Sequence, residues 1–146
     1  GKTLIDTNYD KKNPWNRDLK KVQDMIVNDK NIIRLGFVSE ADLISLYNAA
    51  TVFIMPSLYE GFGLPIVDAF SCGLPVITSN LSSMIEIAGE SAVLVDPYNV
   101  SQMQNKVQEL MEDQEFRKVM IEKGFKRAND FSWDKCAQMT KLIYTV

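Results

Sequence analysis

The segment best suited to chemistry combines two glycines, a carboxylate and a predicted helix start. Gly61 and Gly63 are separated by one residue, and Glu60 comes directly before them. Glycine permits positive φ angles and lets a ligand approach the backbone closely. A helix is predicted to begin at Leu64, because Pro65 is favoured in a first helical turn. The free N–H groups and the dipole of such a helix favour an anion, and a phosphate is the natural ligand.

Two carboxylates leave the role of this segment open between a ligand site and a plain turn. Asp68 is predicted to lie in about the first turn of the helix, so that it and Glu60 could face the same anion pocket. A carboxylate beside a phosphate is repulsive unless it binds something else, and the vicinal hydroxyl groups of a sugar are suitable partners. In the alternative interpretation the glycines form a tight strand-to-helix turn, Glu60 is a solvated loop charge and Asp68 interacts with the helix dipole.

The elements that would position this segment alternate between strand and helix. Apolar runs predict strands at residues 32–35, 52–55, 75–78 and 92–95. Helical spacing and capping residues predict helices that begin at Asn13, at Ser39 and at Ser132, and further helices at residues 64–72, 83–89, 100–110 and 116–125. This order predicts an α/β fold with a parallel sheet and helices on both faces. Ligands of such sheets bind beyond the carboxyl ends of the strands, where the glycine segment follows the strand at 52–55.

Several other features have structural explanations that need no ligand. Ser83 and Glu86 favour a capping box at the start of a short helix. Cys72 is predicted to be buried and inert, and Trp133 is predicted to anchor the last helix. The continuous apolar run at 52–55 predicts a strand that is buried on both faces.

Length and charge favour one ordinary globular domain. The chain has 146 residues, which favours a single domain over residues 1–146, although residues 1–12 are polar and support no assignment. Sixteen basic residues against nineteen acidic residues give a net charge of −3, which excludes non-specific binding of nucleic acid through a basic surface. No apolar run approaches the ~20 residues of a membrane span, and no signal peptide is predicted. The chain does not begin with Met, so a fragment or a processed chain is expected.

The histidine and cysteine content excludes several kinds of active site. Histidine is absent, which removes Ser-His-Asp and Cys-His nucleophiles and every metal site that contains histidine. The two cysteines are Cys72 and Cys136, and their spacing is typical of reduced, cytosolic thiols. The glycine segment lacks the spacing of GxGxxG and the lysine of a P-loop, which argues against half of a Rossmann dehydrogenase.

A long stretch of the sequence resembles a known enzyme family. Residues 60–77, EGFGLPIVDAFSCGLPVI, resemble the signature of retaining glycosyltransferases of the family 4 type, which have the GT-B fold. Similar matches are LGFVSE at 35–40, AATVFIMPS at 49–57, TSNLSSMIEIAG at 78–89, LVDP at 94–97 and FSW at 131–133. The resemblance covers residues 32–146 and is strongest to bacterial mannosyltransferases that use GDP-mannose. It implies the Rossmann-like, donor-binding C-terminal half of a GT-B enzyme.

The resemblance also implies roles for individual residues. Glu60 would be the catalytic residue that contacts the donor sugar, and Asp68 would bind the ribose hydroxyls. The backbone amides of the loop and helix start would hold the diphosphate and the sugar, and backbone in the preceding segment would border the nucleobase. The loop residues are Gly61, Phe62, Gly63 and Leu64, and the base-bordering residues are Phe37 and Val38. No metal and no cofactor are expected, so helix amides and basic residues would stabilise the leaving diphosphate.

The sequence departs from the family pattern in two respects. Asp68 stands where the family has Glu, which shortens the reach to the ribose. Nothing matches the family's N-terminal acceptor domain, its basic diphosphate clamp, or the two strands that lie between those at 32–35 and 52–55. Unless Leu4-Ile5 or another chain supplies these strands, an open sheet edge is expected to favour self-association.

The sequence therefore predicts a donor-binding domain whose parent enzyme transfers a hexosyl unit to a glycan or lipid-linked acceptor. Mannosyl is the favoured unit. The parent is expected to act in polysaccharide biosynthesis, in the cytoplasm or peripherally at the inner face of the membrane. The isolated chain is predicted to be inactive without the acceptor domain. The alternative is a non-catalytic nucleotide-binding or interaction module that has a glycosyltransferase-like fold.

Overall fold

The computed structural model describes residues 19–144, in which ten helices and strands follow one another. They are α1 (Leu19–Asn28), α2 (Glu40–Ala49), β1 (Phe53–Met55), α3 (Leu64–Ser71), β2 (Val76–Ser79), α4 (Ser83–Ala88), β3 (Val93–Val95), α5 (Val100–Glu112), α6 (Gln114–Ala128) and α7 (Trp133–Tyr144). The helix start predicted at Asn13 and the candidate strand at Leu4-Ile5 lie outside the described residues. The chain divides into two compact units, with the boundary between Asp42 and Leu43.

The first unit contains α1 and the start of α2. Ser39 caps α2 as predicted: its hydroxyl accepts a hydrogen bond from the Asp42 N–H (3.2 Å) and donates one to the Asp42 carboxylate (2.7 Å). The predicted strand at 32–35 is wrong, because this segment has no regular secondary structure and pairs with no strand within residues 19–144. Ile33 is 79% exposed, so water can reach the backbone groups that no strand pairs.

The second unit is built on a parallel sheet in the order β1-β2-β3. Ile54 of β1 is opposite Ile77 of β2, which is opposite Val93 of β3. All four residues of the central strand β2 are buried. The expectation that β1 is buried on both faces is wrong, because Ile54 is 41% exposed. On this side of the sheet α5 packs on β2 and β3 more than on β1.

Two hydrophobic cores lie on opposite faces of the sheet. Val76 points to the first core, where Ile66 and Phe70 of α3 join residues of α4. Its neighbour Ile77 points to the second core, which contains Leu110 of α5 and residues of β3 and α6. Because successive side chains of a strand point to opposite faces, these two cores place helices on both faces of the sheet. The predicted Rossmann-like α/β class is confirmed.

Two glycines allow α3 and α6 to pack closely. A Cβ atom at Gly124 of α6 would lie 2.9 Å from Cδ1 of Phe70, so the aromatic ring occupies the space that a side chain would need. Gly73 ends α3 with a φ of +67°, and a Cβ atom there would lie 2.6 Å from Cζ of Phe125. The predicted end of this helix at Gly73 therefore follows from both its backbone conformation and its packing.

Three local predictions about side chains are wrong. The Ser83 hydroxyl forms no capping box, because it donates to the carbonyl of Glu60 in a distant loop. Cys72 is only partly buried, since it lies at the exposed C-terminal end of α3. Trp133 is 77% exposed and does not anchor α7, a helix with no buried residue. The Ser132 cap is confirmed, because its hydroxyl accepts from the N–H of Lys135 (3.0 Å).

Candidate functional site

Buried hydroxyls of β2 hold the chain where it leaves β1. Thr78 Oγ1 donates to the carbonyl of Met55 (2.8 Å), and Ser79 Oγ donates to the carbonyl of Ser57. Both hydroxyl-bearing residues are 0% exposed. The loop at 56–63 therefore starts from a fixed point at the carboxyl ends of two parallel strands, which is where ligands of open α/β sheets bind.

Glu60 is held at both its side chain and its main chain. Ser57 Oγ donates to Glu60 Oε1 (3.0 Å), and the Glu60 carbonyl accepts from Ser83 Oγ (2.8 Å) and Ser82 Oγ (3.1 Å). The side chain is partly buried, so a freely solvated loop charge does not describe it. An ionised carboxylate has about four acceptor positions. The hydroxyl of Ser57 occupies one of them, and the others can accept hydrogen bonds from a ligand.

The two glycines of the loop differ in their conformations. Gly63 has a φ of +111° and is the N-cap of α3, and a Cβ atom there would lie 3.3 Å from Ile66 Cδ1. Gly61 does not have a positive φ, and a Cβ atom there would meet nothing within 4 Å. Packing and backbone conformation within residues 19–144 therefore explain glycine at position 63 but not at position 61.

Free backbone donors follow Glu60. The N–H groups of Gly61, Phe62 and Gly63 form no hydrogen bond within the described part of the chain. Leu64 is the first residue of α3, and its N–H forms no hydrogen bond among the described residues either. Pro65 has no N–H, and the N–H of Ile66 donates to the carbonyl of Gly63 (2.9 Å). The first turn carries no acidic residue that would compete for these donors. This arrangement is suited to an anion with several acceptor oxygens.

Asp68 lies further into α3 than predicted. It is exposed and belongs to the second turn of the helix, because α3 begins at Leu64 and has no acidic residue in its first turn. Interaction with the helix dipole therefore does not account for Asp68, since that effect falls off after the first turn.

The phenol of Tyr47 lies near Asp68. Burial raises the pKa of the Tyr47 phenol above its ordinary value, and the nearby charge of Asp68 raises it further.

A mostly apolar groove of about 600 Å³ adjoins the loop. Phe62 and Asp68 line one side, and Phe131 and Trp133 line the side formed by α7 and the turn before it. The rings of Phe62 and Phe131 meet edge to face, with their centroids 5.6 Å apart. The Arg127 guanidinium lies 4.8 Å from the centre of the Phe131 ring and fixes that turn. The sequence interpretation missed this groove, although FSW at 131–133 marked the turn.

Phe37 and Val38 belong to the first unit and precede α2. Phe37 is 98% exposed. Their part in binding a nucleobase stays a prediction, as do the roles of the residues in the loop.

Residues 12–127 match the protein family described as "Glycosyl transferases group 1". The chain belongs to this family. The predicted resemblance to the C-terminal domain of a glycosyltransferase is thereby confirmed at the level of the family.

Curated relatives of this glycosyltransferase domain include two bacterial mannosyltransferases. The chain is 41% identical over 110 residues to the O-antigen chain mannosyltransferase B of Escherichia coli, covering 75% of this chain and 29% of that protein. It is 33% identical over 111 residues to the MMP alpha-(1->4)-mannosyltransferase of Mycolicibacterium hassiacum, covering 73% of this chain and 27% of that protein. The chain thus spans less than a third of the length of either relative.

Solved structures of similar fold agree with this assignment. Sucrose-phosphate synthase from Thermosynechococcus elongatus matches with a TM-score of 0.77 and 25% identity, over 88% of this chain and 34% of that one. The C-terminal domain of a glycosyl transferase group 1 family protein from Francisella tularensis matches with a TM-score of 0.66 and 30% identity. The match covers 81% of this chain and 64% of that one. These matches support the C-terminal half of a GT-B fold.

Two further findings concern the described residues alone. No group of three or more Cys, Asp or Glu side chains between residues 19 and 144 is placed to hold a metal ion. None of the helices described is both long and apolar enough to cross a membrane.

Four serines are the site residues that sequence reasoning missed. Ser57, Ser79, Ser82 and Ser83 donate hydrogen bonds to Glu60 or to the loop that carries it. The segments PS at 56–57 and TSNLSS at 78–83 were the available signals. These segments match family motifs, but local spacing does not reveal their hydrogen bonds, because the partners lie more than twenty residues away for all but Ser57.

Proposed function

We propose that this domain binds a nucleoside diphosphate sugar, with GDP-mannose the favoured donor. The protein that contains it transfers the hexosyl unit, with retention of configuration, to a glycan or lipid-linked acceptor in polysaccharide biosynthesis. The single observation that carries this proposal is the juxtaposition of an anchored carboxylate, Glu60, with the free N–H groups that begin at Gly61. The names of the mannosyltransferase relatives support mannose as the sugar.

Each part of the site has a function in this proposal. The free N–H groups from Gly61 to Leu64 bind the diphosphate and stabilise the charge that develops as it leaves. Glu60 accepts hydrogen bonds from the donor sugar, and Asp68 accepts them from the ribose. The bond between the sugar C1 and the diphosphate oxygen breaks, a bond from C1 to the acceptor oxygen forms, and the acceptor proton leaves with the diphosphate. The proposed reaction uses no divalent metal.

The acceptor and its binding site belong to the proposal for the whole protein. Since the chain spans 29% of the length of the E. coli mannosyltransferase, we place acceptor binding in sequence beyond this domain. The isolated chain is accordingly expected to bind the donor without transferring the sugar. Cytoplasmic location and self-association through the edge of β1 stay predictions.

An amide NMR titration of the chain tests donor binding. GDP, UDP, ADP and GDP-mannose are added in turn to the 15N-labelled chain, in buffer with EDTA. We expect shifts that cluster at residues 61–68 and are stronger for GDP than for UDP or ADP. Shifts that require added Mg²⁺ would contradict the metal-independent mechanism. A dispersed spectrum without shifts at this loop for any nucleotide would contradict the proposed donor site.

Replacing Gly61 separates ligand binding from folding. Because nothing lies within 4 Å of a Cβ atom at this position, Gly61→Ala is expected to change the free energy of unfolding by less than about 0.5 kcal/mol. The added methyl group would lie in the path of the donor, so we expect the Kd for GDP to rise about tenfold. Gly63→Ala is the matched variant, and its positive φ predicts a loss of about 1–2 kcal/mol of stability.

Urea denaturation and calorimetric titration measure these two effects. If Gly61→Ala bound GDP as tightly as the original chain, the diphosphate would not approach this part of the backbone. A large loss of stability in Gly61→Ala would instead show that the loop needs this glycine for its own structure.

A further inference from the structure

Two hydroxyls from one turn meet at a single carbonyl oxygen in the loop. Ser83 Oγ lies 2.8 Å and Ser82 Oγ lies 3.1 Å from the carbonyl oxygen of Glu60. A backbone carbonyl oxygen has two lone pairs and can therefore accept both bonds. The turn before α4 thus holds the main chain of the glycine loop through two side chains.

These two bonds orient the peptide between Glu60 and Gly61. None of the peptide bonds described is cis, so the carbonyl of Glu60 and the N–H of Gly61 point in opposite directions within one plane. Fixing the carbonyl therefore fixes the direction of a free N–H donor on the other side. It also fixes the Cα atom from which the Glu60 carboxylate extends, while Ser57 holds the carboxylate itself.

The backbone of Ser82 indicates that its hydroxyl has a specific use. Its φ of +52° and ψ of −143° lie in a region that glycine adopts far more easily than serine. It is the one non-glycine residue of positive φ among residues 19–144. Ser82 is also the N-cap of α4 but forms no side-chain cap, because its hydroxyl is directed to Glu60 instead. Neither backbone preference nor capping explains serine here, whereas the bond to the loop does.

We propose that Ser82 and Ser83 are positioning residues for transfer, which act by holding the Glu60–Gly61 peptide in its reactive orientation. This inference rests on the proposed function, because Glu60 must contact the donor sugar for its orientation to affect the reaction. An N–H held in advance toward the leaving diphosphate stabilises the transition state more than the bound donor. Loss of the hydroxyls consequently lowers kcat more than it raises the KM for the donor.

The kinetic test uses Ser82→Gly, Ser83→Ala and the double variant in the full protein that carries this domain. Ser82→Gly relieves the unfavourable φ and is expected to fold. Each single variant is expected to lower kcat about fivefold, and the double variant more than the product of the two, because one hydroxyl still holds the carbonyl when the other is removed. Ser83→Thr keeps a hydroxyl and is expected to restore kcat.

The matched control is Ser71→Ala, which removes another serine hydroxyl bonded to a carbonyl, that of Val67 in α3 (2.9 Å). It is expected to leave kcat and KM unchanged. If Ser71→Ala lowered kcat as much as Ser82→Gly or Ser83→Ala, or if Ser83→Thr failed to restore it, the positioning role would be overturned.

A second measurement needs no enzyme activity. The heteronuclear NOE of the Gly61 amide, recorded on the chain without ligand, is expected to fall in the double variant and to stay unchanged in Ser71→Ala. An unchanged NOE in the double variant would show that the serines do not hold this peptide and would overturn the inference. Wild-type protein that transfers sugar while the serine variants keep full kcat would overturn the inference alone. Wild-type protein that neither binds a nucleotide nor transfers sugar would overturn the proposed function and the inference together.

Discussion

Glu60→Gln is expected to lower the kcat of sugar transfer by about 100-fold or more in the full protein that carries this domain. Glutamine has nearly the same size and can still accept a hydrogen bond from Ser57, so the loop keeps its shape. The negative charge is lost, however, and with it the stabilisation of positive charge that develops on the sugar ring during glycosidic bond cleavage. Release of the nucleoside diphosphate in the presence of acceptor measures kcat.

GDP binding separates this effect from a loss of the site. GDP lacks the hexosyl group that Glu60 is proposed to contact, so its Kd is expected to change by less than about threefold in Glu60→Gln. Glu90→Gln is the matched control, because Glu90 is 95% exposed in its side chain and its nearest cation, Lys123, is 3.8 Å away. Transfer by Glu60→Gln at the wild-type rate would favour the alternative of a non-catalytic role for this loop.

Phe70→Ala is expected to have the largest effect on folding. Phe70 is 1% exposed, lies in the core formed by α3 and α4, and contacts α6 at Gly124. Removal of a buried phenylalanine ring costs about 3–5 kcal/mol through lost burial and the cavity that remains. Domains of ordinary size are stable by about 5–15 kcal/mol, so this one change removes a large share. Urea denaturation of the chain measures the loss.

Phe125→Ala provides the comparison for Phe70→Ala. Phe125 is the same residue type on the adjoining helix, but it is 47% exposed, so its replacement is expected to cost about 1 kcal/mol. Equal losses in the two variants would contradict the packing described for α3 and α6. Because α3 also carries Asp68 and the free N–H of Leu64, the affinity of Phe70→Ala for GDP is expected to fall at temperatures where the variant partly unfolds.

Local signals were sufficient to predict most of the elements around the site. Pro65 at the start and Gly73 at the end correctly bounded α3, since these residues act through their own backbone conformations. The predicted strands at 52–55, 75–78 and 92–95 agree with β1, β2 and β3 to within one residue at each end. The strand predicted at 32–35 had a similar apolar run and still failed, because a strand also needs a paired neighbour that its own residues do not specify.

The family, the class of fold and the loop that carries Glu60 could be predicted from short motifs and from the periodicity of neighbouring residues. How that glutamate is held depends on contacts between segments that are distant in the chain. Ser83 and Glu86 have the spacing of a capping box, yet the Ser83 hydroxyl bonds to the carbonyl of Glu60, 23 residues earlier. A hydroxyl can donate to any suitable acceptor within reach in space, and parallel pairing of β1 with β2 brings the two loops that follow them together. The bond from Ser83 to Glu60 therefore depends on the folded sheet and not on the local spacing of Ser83 and Glu86.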